Sequence, residues 1–188
     1  MKLKNIITII FAITLSLFFT GCLSFPNSRY RITKVYDIGN FVAINVAAPV
    51  KIIMIRNFIG TESRFAVKYK NCRVDFDAYN CWTLTISGMF EKAFLETLNF
   101  QDKKIDSPAL KLYCDVYDFS VDENNIFTID IGLTFQYENN ERKLRKVVTA
   151  KAQEFEAKDV AVAAQKCMKE LMKYSANEIN NFVKGVNK

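Results

Sequence analysis

The chain has 188 residues, with 26 basic side chains, 20 acidic side chains and no histidine. The lack of histidine excludes Ser-His-Asp and Cys-His catalysis and removes the commonest metal ligand. The formal net charge of +6 is small and spread along the chain, so it does not indicate a nucleic-acid partner.

The N-terminal segment has the composition of a secretory signal peptide. Two lysines within the first four residues precede an almost wholly apolar run over residues 6–19. As a helix this run would be ~21 Å long, whereas the hydrocarbon core of a bilayer is ~30 Å thick. A positive start and a short apolar centre favour a cleaved signal over a membrane span.

Residues 19–22 read FTGC and resemble the lipobox of bacterial lipoproteins, which consists of an apolar residue, two small residues and a cysteine. In lipoproteins that cysteine is acylated, because its thiolate is the nucleophile. We therefore predict cleavage before Cys22 and acyl chains on its sulfur. The alternative is a signal anchor with an incidental cysteine.

The expected organisation is a signal peptide (1–21), an acylated N-terminus and linker (22–29) and one domain (30–184). Cys22 is followed by leucine and serine rather than aspartate, which resembles an outer-membrane sorting signal. The expected location is thus the outer membrane, with the domain facing the periplasm.

The first half of the mature chain consists of short alternating or β-branched segments, which predict strands. The run over residues 50–57 is so rich in β-branched residues that it predicts a strand buried on both faces. The predicted strands are 29–38, 41–47, 50–57, 63–70 and 72–77.

Residues 81–100 change to a spacing of three and four, which predicts an amphipathic helix, with Asp77 or Asn80 as its N-cap. Further strands are predicted over 109–121, 126–138 and 144–155, and a final amphipathic helix over 157–183. This order, strands, helix, three strands, helix, predicts an α+β fold. We expect a mainly antiparallel sheet with two amphipathic helices packed on one face.

Catalytic and metal-binding chemistry finds little support in the sequence. Carboxylate pairs at Asp75 and Asp77, and at Asp115 and Asp118, would suffice for glycoside hydrolysis, but solvent-facing polar positions explain them more simply. We therefore predict no catalytic residue, no metal site and no cofactor.

Four cysteines follow Cys22, and an oxidising compartment would allow them to form disulfides. Their pairing stays open, since four cysteines allow three connectivities. We expect at least two of them to be buried free thiols. The four are Cys72, Cys81, Cys114 and Cys167.

Tyr79 and Trp82 open the first predicted helix, and Trp82 is the sole tryptophan. Packing of this helix start against the sheet is the favoured interpretation. The functional alternative makes Tyr79 and Trp82 contacts to an acyl chain or a partner peptide.

The stretch from Ile44 to Asn57, a strand ending at Tyr69, and DAYNCW followed by MFEKAFLETL resemble the ABC-type transport auxiliary lipoproteins. This family includes the paraquat-inducible outer-membrane lipoprotein that works beside MCE proteins, and the resemblance spans residues 30–183. The family positions are filled here by Ile44, Val46, Pro49, Tyr69, Tyr79 and Trp82.

The resemblance implies a non-catalytic component of an envelope transport system for lipids or other apolar molecules. It further implies an MCE-type protein and an ABC permease and ATPase as partners, and a homo-oligomer. Two alternatives stay open from the residues themselves: a lipid-anchored envelope enzyme, and a surface lipoprotein for ligand binding or adhesion.

Overall fold

The computed structural model describes residues 33–100 and 108–186, which lie in the compact unit Thr33–Lys188. Two runs of strands are each followed by one helix, an order that an α+β fold allows. Their order is β1 (Lys34–Tyr36), β2 (Ile44–Asn45), β3 (Val50–Asn57), β4 (Arg64–Lys68), β5 (Val74–Trp82), α1 (Ile86–Thr97), β6 (Leu98–Asn99), β7 (Leu110–Asp122), β8 (Ile126–Tyr137), β9 (Asn140–Lys151) and α2 (Ala157–Val186).

The large sheet is built around β7. On one side β7 pairs antiparallel with β8, which pairs antiparallel with β9. On the other side β3 pairs parallel with the first half of β7, and β4 pairs parallel with its second half. Beyond β4 lie β5, paired antiparallel, and β1, paired parallel with β5.

The α+β class with two helices is confirmed, but the prediction of a mainly antiparallel sheet is wrong, because this sheet is mixed. Parallel neighbours need a long crossover between them. The chain supplies one, since it passes through α1 before it returns as β7. Alternating hydrophobicity predicts which face of a strand is buried, but it carries no information on strand direction.

The predicted element order is also wrong in one place. A two-residue strand, β6, follows α1 directly and pairs parallel with β2, so four strands rather than three separate the helices. A strand of two residues is too short to show a period in the sequence.

The core lies between one sheet face and the two helices. Alternate residues of β8 are at most 5% exposed, and they join the buried faces of α1 and α2 in one hydrophobic cluster. The opposite sheet face is covered by no element of the described residues, and we call it the open face. It is formed by Arg56, Tyr113, Asp115, Tyr117, Asp118, Asp130, Gly132, Thr134, Gln136, Lys143, Arg145 and Val147.

Helix α1 is shorter than predicted and begins later. Its N-cap is Thr85, whose hydroxyl oxygen accepts a hydrogen bond from the Gly88 N–H at 3.0 Å. The predicted cap Asp77 instead accepts hydrogen bonds from the backbone of Tyr79 and Asn80 within β5. The spacing misled the prediction because Trp82, the buried residue of β5, happens to continue the helical period.

Strand β3 is not buried on both faces as its composition predicts. Ile53 is 40% exposed and Met54 is 42% exposed. The register with β7 shifts between Ile52 and Met54, and β7 is the only partner of β3 among the described strands. The strand is therefore an edge with a bulge, a position that tolerates exposed apolar side chains at some risk of association.

Helix α2 confirms the helix predicted for the C-terminal segment and runs slightly beyond it. In the part of the chain that the structure describes, neither helix combines the length and the apolar character that crossing a bilayer requires.

Candidate functional site

The open face carries a cluster of exposed aromatic and arginine side chains. A β-bulge in β7, between Val116 and Asp118, adds one residue to the strand. As a result Tyr117 and Asp118 both point away from the core, while Val116 and Phe119 on either side stay buried. Tyr117 therefore lies flat on the open face instead of following the alternation of the strand.

Four side chains form a layered stack around Tyr117, which we call the arginine–aromatic stack. The rings of Phe58 and Tyr117 lie 5.6 Å apart and are inclined by only 18°. The Arg56 guanidinium carbon is 5.5 Å from the Phe58 ring centre. The Arg145 guanidinium carbon is 5.1 Å from the Tyr117 ring centre. Each of the two stacked rings thus has a guanidinium over it, which cation–π attraction favours.

Each guanidinium in the stack is fixed by a two-point ion pair. Arg56 donates to the two carboxylate oxygens of Asp115, both at 2.6 Å. Arg145 donates to Asp130 at 3.0 and 2.6 Å. These hydrogen bonds raise the pKa of both arginines, so the stack keeps its two positive charges. Bidentate pairing also orients the guanidinium planes.

Glycine at position 132 makes room for the Tyr117 ring. A Cβ atom built on Gly132 would lie 3.1 Å from Cε2 and 3.2 Å from Oη of Tyr117. Those distances are closer than carbon normally packs, so a larger residue here would force the ring to shift. The bulge and this glycine together create the site.

A shallow cavity of about 420 Å³ borders the stack on the open face. Its floor includes Tyr113, whose hydroxyl donates to Gln136 at 3.3 Å, and its rim carries Lys143, which is 73% exposed. The groups here are ring faces, hydrogen-bond donors and ion-paired cations, since Lys143 pairs with Glu141 at 2.9 Å and both Glu141 and Asp115 also line the cavity. Arginine and tyrosine are enriched among the residues that dominate protein interfaces. The arrangement is suited to binding a partner surface.

The four aspartates considered for catalysis are each held by their own neighbours. Asp115 pairs with Arg56, and Asp118 pairs with Lys68 at 3.1 Å. The other two lie on β5, where Asp75 pairs with Arg73 and Asp77 accepts from the local backbone. Asp115 and Asp118 also line two different cavities, whereas glycoside hydrolysis needs two carboxylates at one cleft.

The predicted contact residues Tyr79 and Trp82 have different surroundings. Trp82 is only 3% exposed, stacks on Phe65 at 4.1 Å and meets Phe119 edge-on at 5.3 Å. Tyr79 is 45% exposed on β5. The geometry of Trp82 is that of core packing, the favoured interpretation of the sequence. The lipidation residue Cys22 lies outside the described residues.

All four cysteines in the described residues are free thiols. Cys72 is exposed, and Cys81 is partly exposed. Burial raises the pKa of Cys167 to about 12 and also raises the pKa of Cys114 above its ordinary range. These two thiols are neutral at physiological pH and serve as apolar core residues.

One acidic group among the described residues has the spacing of a metal site. The carboxylates of Glu154, Glu156 and Asp159 lie within 4.8 Å of one another just before and within the first turn of α2. Lys158 already pairs with Glu156 at 3.1 Å. Negative charge at a helix N-terminus is stabilising in itself, so this group needs no ion to explain it.

The arginine–aromatic stack was missed by the sequence analysis because three strands and a loop contribute to it. Only one signal was present in the sequence. Between residues 109 and 121 the alternation slips where Tyr117 and Asp118 compete for one outward position. Such a slip predicts a bulge, but it does not show which side chains the bulge will meet.

Comparison with known proteins identifies the fold alone. No family model matches the chain, and no curated protein matches it. One solved structure, an uncharacterized protein, covers 79% of this chain and 99% of its own, with a TM-score of 0.65 and 9% identity. Another, protein XCC0632 from Xanthomonas campestris, of family DUF330, covers 82% of this chain and 100% of its own, with a TM-score of 0.64 and 13% identity.

Proposed function

We propose that the protein is a lipid-anchored, non-catalytic docking component of an ABC/MCE-type envelope transport system for lipids or other apolar molecules. The structural observation that carries the docking role is the arginine–aromatic stack on an uncovered sheet face. The anchor rests on the sequence around Cys22. The partners, an MCE-type protein and an ABC permease and ATPase, rest on the family resemblance.

The anchor holds the domain close to one leaflet. One acyl chain binds a membrane only marginally, whereas two or more hold it firmly. Ten residues, 23–32, lie between Cys22 and Thr33, where the compact unit begins. Such a segment extends ~40 Å at most. The start of the domain, Thr33, then lies within that distance of the membrane, which we propose is the outer membrane, with the domain facing the periplasm.

The stack is suited to docking because it is organised before the partner arrives. The two ion pairs fix the guanidinium planes, and Gly132 lets the Tyr117 ring lie flat. Side chains that are already ordered lose less conformational entropy on binding. The partner surface expected here offers apolar groups to the rings and acceptor oxygens to the rim cations.

The anchor is tested by mass spectrometry of the protein purified from membranes of its bacterial host. We expect a mature N-terminus at Cys22 carrying the mass of a diacylglyceride and, when the amine is also modified, a further acyl chain. Cys22→Ser is expected to release the domain from the membrane fraction. An N-terminus without acyl mass on Cys22 would overturn the anchor.

Docking is tested by recovery of the MCE-type protein on the full chain from solubilised envelopes. Tyr117→Ala should lower recovery at least tenfold, because it removes the central ring of the stack. Tyr79→Ala is the matched control, since Tyr79 and Tyr117 are 45% and 44% exposed. If Tyr79→Ala lowers recovery and Tyr117→Ala does not, the docking surface lies on β5 instead of the open face. Failure to recover any MCE-type protein would overturn the proposed function.

A further inference from the structure

A second cavity lies on the helical side of the sheet, away from the open face. Residues 37–47, which we call the strap, cross the outer side of the two helices. The Phe41 N–H donates to the Glu96 carboxylate of α1 at 3.0 Å, and the Ala47 N–H donates to the Asn180 side chain of α2 at 2.7 Å. Lys92 of α1 also pairs with Asp37 at 3.3 Å, so both ends of the strap are bound to the helices.

The cavity beneath the strap has a volume of about 200 Å³. Its walls are apolar and come from three segments: Phe41, Val42 and Ile44 of the strap, the end of α1, and Met172 of α2. Most of the surface that lines it is carbon, so it suits a hydrocarbon group.

Two lysines border the cavity without an acidic partner. Lys169 and Lys173 both line it, are both exposed and form no ion pair with any described residue. They are one turn apart on α2, so their side chains project on the same side. Glu170, which lies between them in sequence, lines an adjoining groove together with Lys166, Lys169 and Lys173, and forms no ion pair with either of the last two.

A buried hydroxyl at the cavity also lacks a partner. Thr97 lines the cavity and is 1% exposed, and its Oγ1 has no hydrogen-bond partner among the described residues. A buried polar group without a hydrogen bond is costly, so such groups normally have a ligand or water. This observation is independent of the two lysines, and it points to an oxygen-bearing occupant.

We propose that this cavity binds the alkyl chain of an anionic amphiphile, a fatty acid or an alkyl phosphate. The apolar walls take up part of the chain, Lys169 and Lys173 pair with the charged headgroup, and the Thr97 hydroxyl donates to a ligand oxygen. The cavity volume equals that of about seven water molecules, so it holds a short stretch of chain rather than a whole lipid.

This site is separate from the arginine–aromatic stack and does not depend on it. Variants of the open face should leave amphiphile binding unchanged, and variants of the cavity should leave partner recovery unchanged. Failure of one proposal is therefore distinguishable from failure of the other.

The test is photo-crosslinking of the full chain in phosphatidylcholine nanodiscs, with a dodecyl phosphate that carries a diazirine at its terminal carbon. Labelled positions are mapped by mass spectrometry after chymotryptic digestion, which lysine substitutions do not alter. We expect saturable labelling of the peptides that contain Ile44 and Met172. Unlabelled dodecyl phosphate and laurate should each compete, whereas dodecylphosphocholine, of equal chain length, should compete at least fivefold less well.

Substitutions decide which groups recognise the ligand. The double substitution Lys169→Gln and Lys173→Gln should reduce labelling about tenfold, while Lys166→Gln, on the same helix but outside this cavity, should not. Thr97→Val keeps the side-chain shape and should reduce labelling severalfold without unfolding the domain. Equal competition by the zwitterionic amphiphile, labelling spread over the surface, or unchanged labelling in both the double-lysine and Thr97→Val variants would overturn the proposal.

Discussion

At the scale of single residues, the candidate site depends most on a position that has no side chain. Gly132→Val would place branched carbons where Tyr117 Cε2 now lies, 3.1 Å from the first added atom. We expect the ring to leave the stack and partner recovery to fall tenfold. The free energy of unfolding should change by only about 1 kcal/mol, because valine favours strands.

The control for this substitution is Thr134→Val, two residues further along β8 on the same open face. It replaces a hydroxyl by a methyl group of nearly equal volume, so it makes the open face more apolar without adding bulk beside Tyr117. Recovery of the partner and urea-induced unfolding are measured for both variants. Equal recovery in both would show that the ring position does not matter for docking.

The two buried thiols predict a loss of stability at alkaline pH. Burial raises the pKa of Cys167 to about 12 and raises that of Cys114 still further, whereas an unfolded cysteine has a pKa of about 8.5. Below pH ~8.5 both states hold the proton and stability is unaffected. Above it the unfolded chain loses protons first, so each thiol lowers the free energy of unfolding by up to ~1.4 kcal/mol per pH unit.

Urea unfolding at pH 8, 9 and 10, under reducing conditions, measures this effect. The double substitution Cys114→Ala and Cys167→Ala should flatten the decline, even though it lowers stability at pH 8. The exposed Cys72→Ala is the control and should leave the decline unchanged. If the free energy of unfolding falls equally with pH in the wild-type chain and the double variant, the two buried thiols do not cause the decline.

Residue-level predictions from the sequence were reliable for packing and poor for the site. The helical spacing correctly suggested that Trp82 packs in the core, although it assigned the residue to the wrong element. Tyr117 received no role, because its exposure depends on a bulge and on a glycine in the neighbouring strand. Local periodicity does not contain that cross-strand relation.

At the scale of secondary-structure elements, α1 depends on one capping side chain. The Thr85 hydroxyl accepts from the Gly88 N–H, and the first turn carries no acidic residue that would act as a substitute. Thr85→Ala should therefore lower the free energy of unfolding by about 1 kcal/mol. Thr83→Ala, also exposed but outside the cap, should have a smaller effect in the same chemical denaturation.

The long elements were predicted well because each buries one face. In β8 every second residue is buried, and α2 shows a continuous apolar stripe, so both periods are visible in the sequence. The elements around the predicted contact residues Tyr79 and Trp82 are shorter or more exposed. β5 exposes residues on both faces and so lacks a clear period, which is why its end was assigned to the helix.

At the scale of the whole molecule, the sheet separates two surfaces with different chemistry. The open face presents rings and ion-paired arginines, while the helical side carries the strap cavity and lysines without acidic partners among the described residues. Under the two proposals, the domain would engage a protein on one side and an amphiphile on the other. This division follows from the one-sided packing of both helices.

The sheet order predicts how local stability is distributed over the described chain. Strands β7 and β8 have neighbours on both sides, whereas β1, β2 and β6 are two or three residues long and lie at edges or in a separate pair. Backbone amides that are paired and buried on both sides open only with large-scale unfolding. Hydrogen–deuterium exchange of the full chain should therefore be slowest in β7 and β8 and fastest in β1, β2 and β6.

The same experiment distinguishes local from global opening. In the Thr85→Ala variant, exchange should accelerate in α1 more than in β8, because the lost cap affects the helix end before it affects the sheet. The bulge should appear as a faster segment inside β7, since β3 pairs with this strand only up to Val116 and β4 pairs with it only from Ser120. Uniform exchange along β7 would show that contacts other than its pairing with β3 and β4 protect the backbone at the bulge. Tyr117 would then be held in place by more than the arginine–aromatic stack.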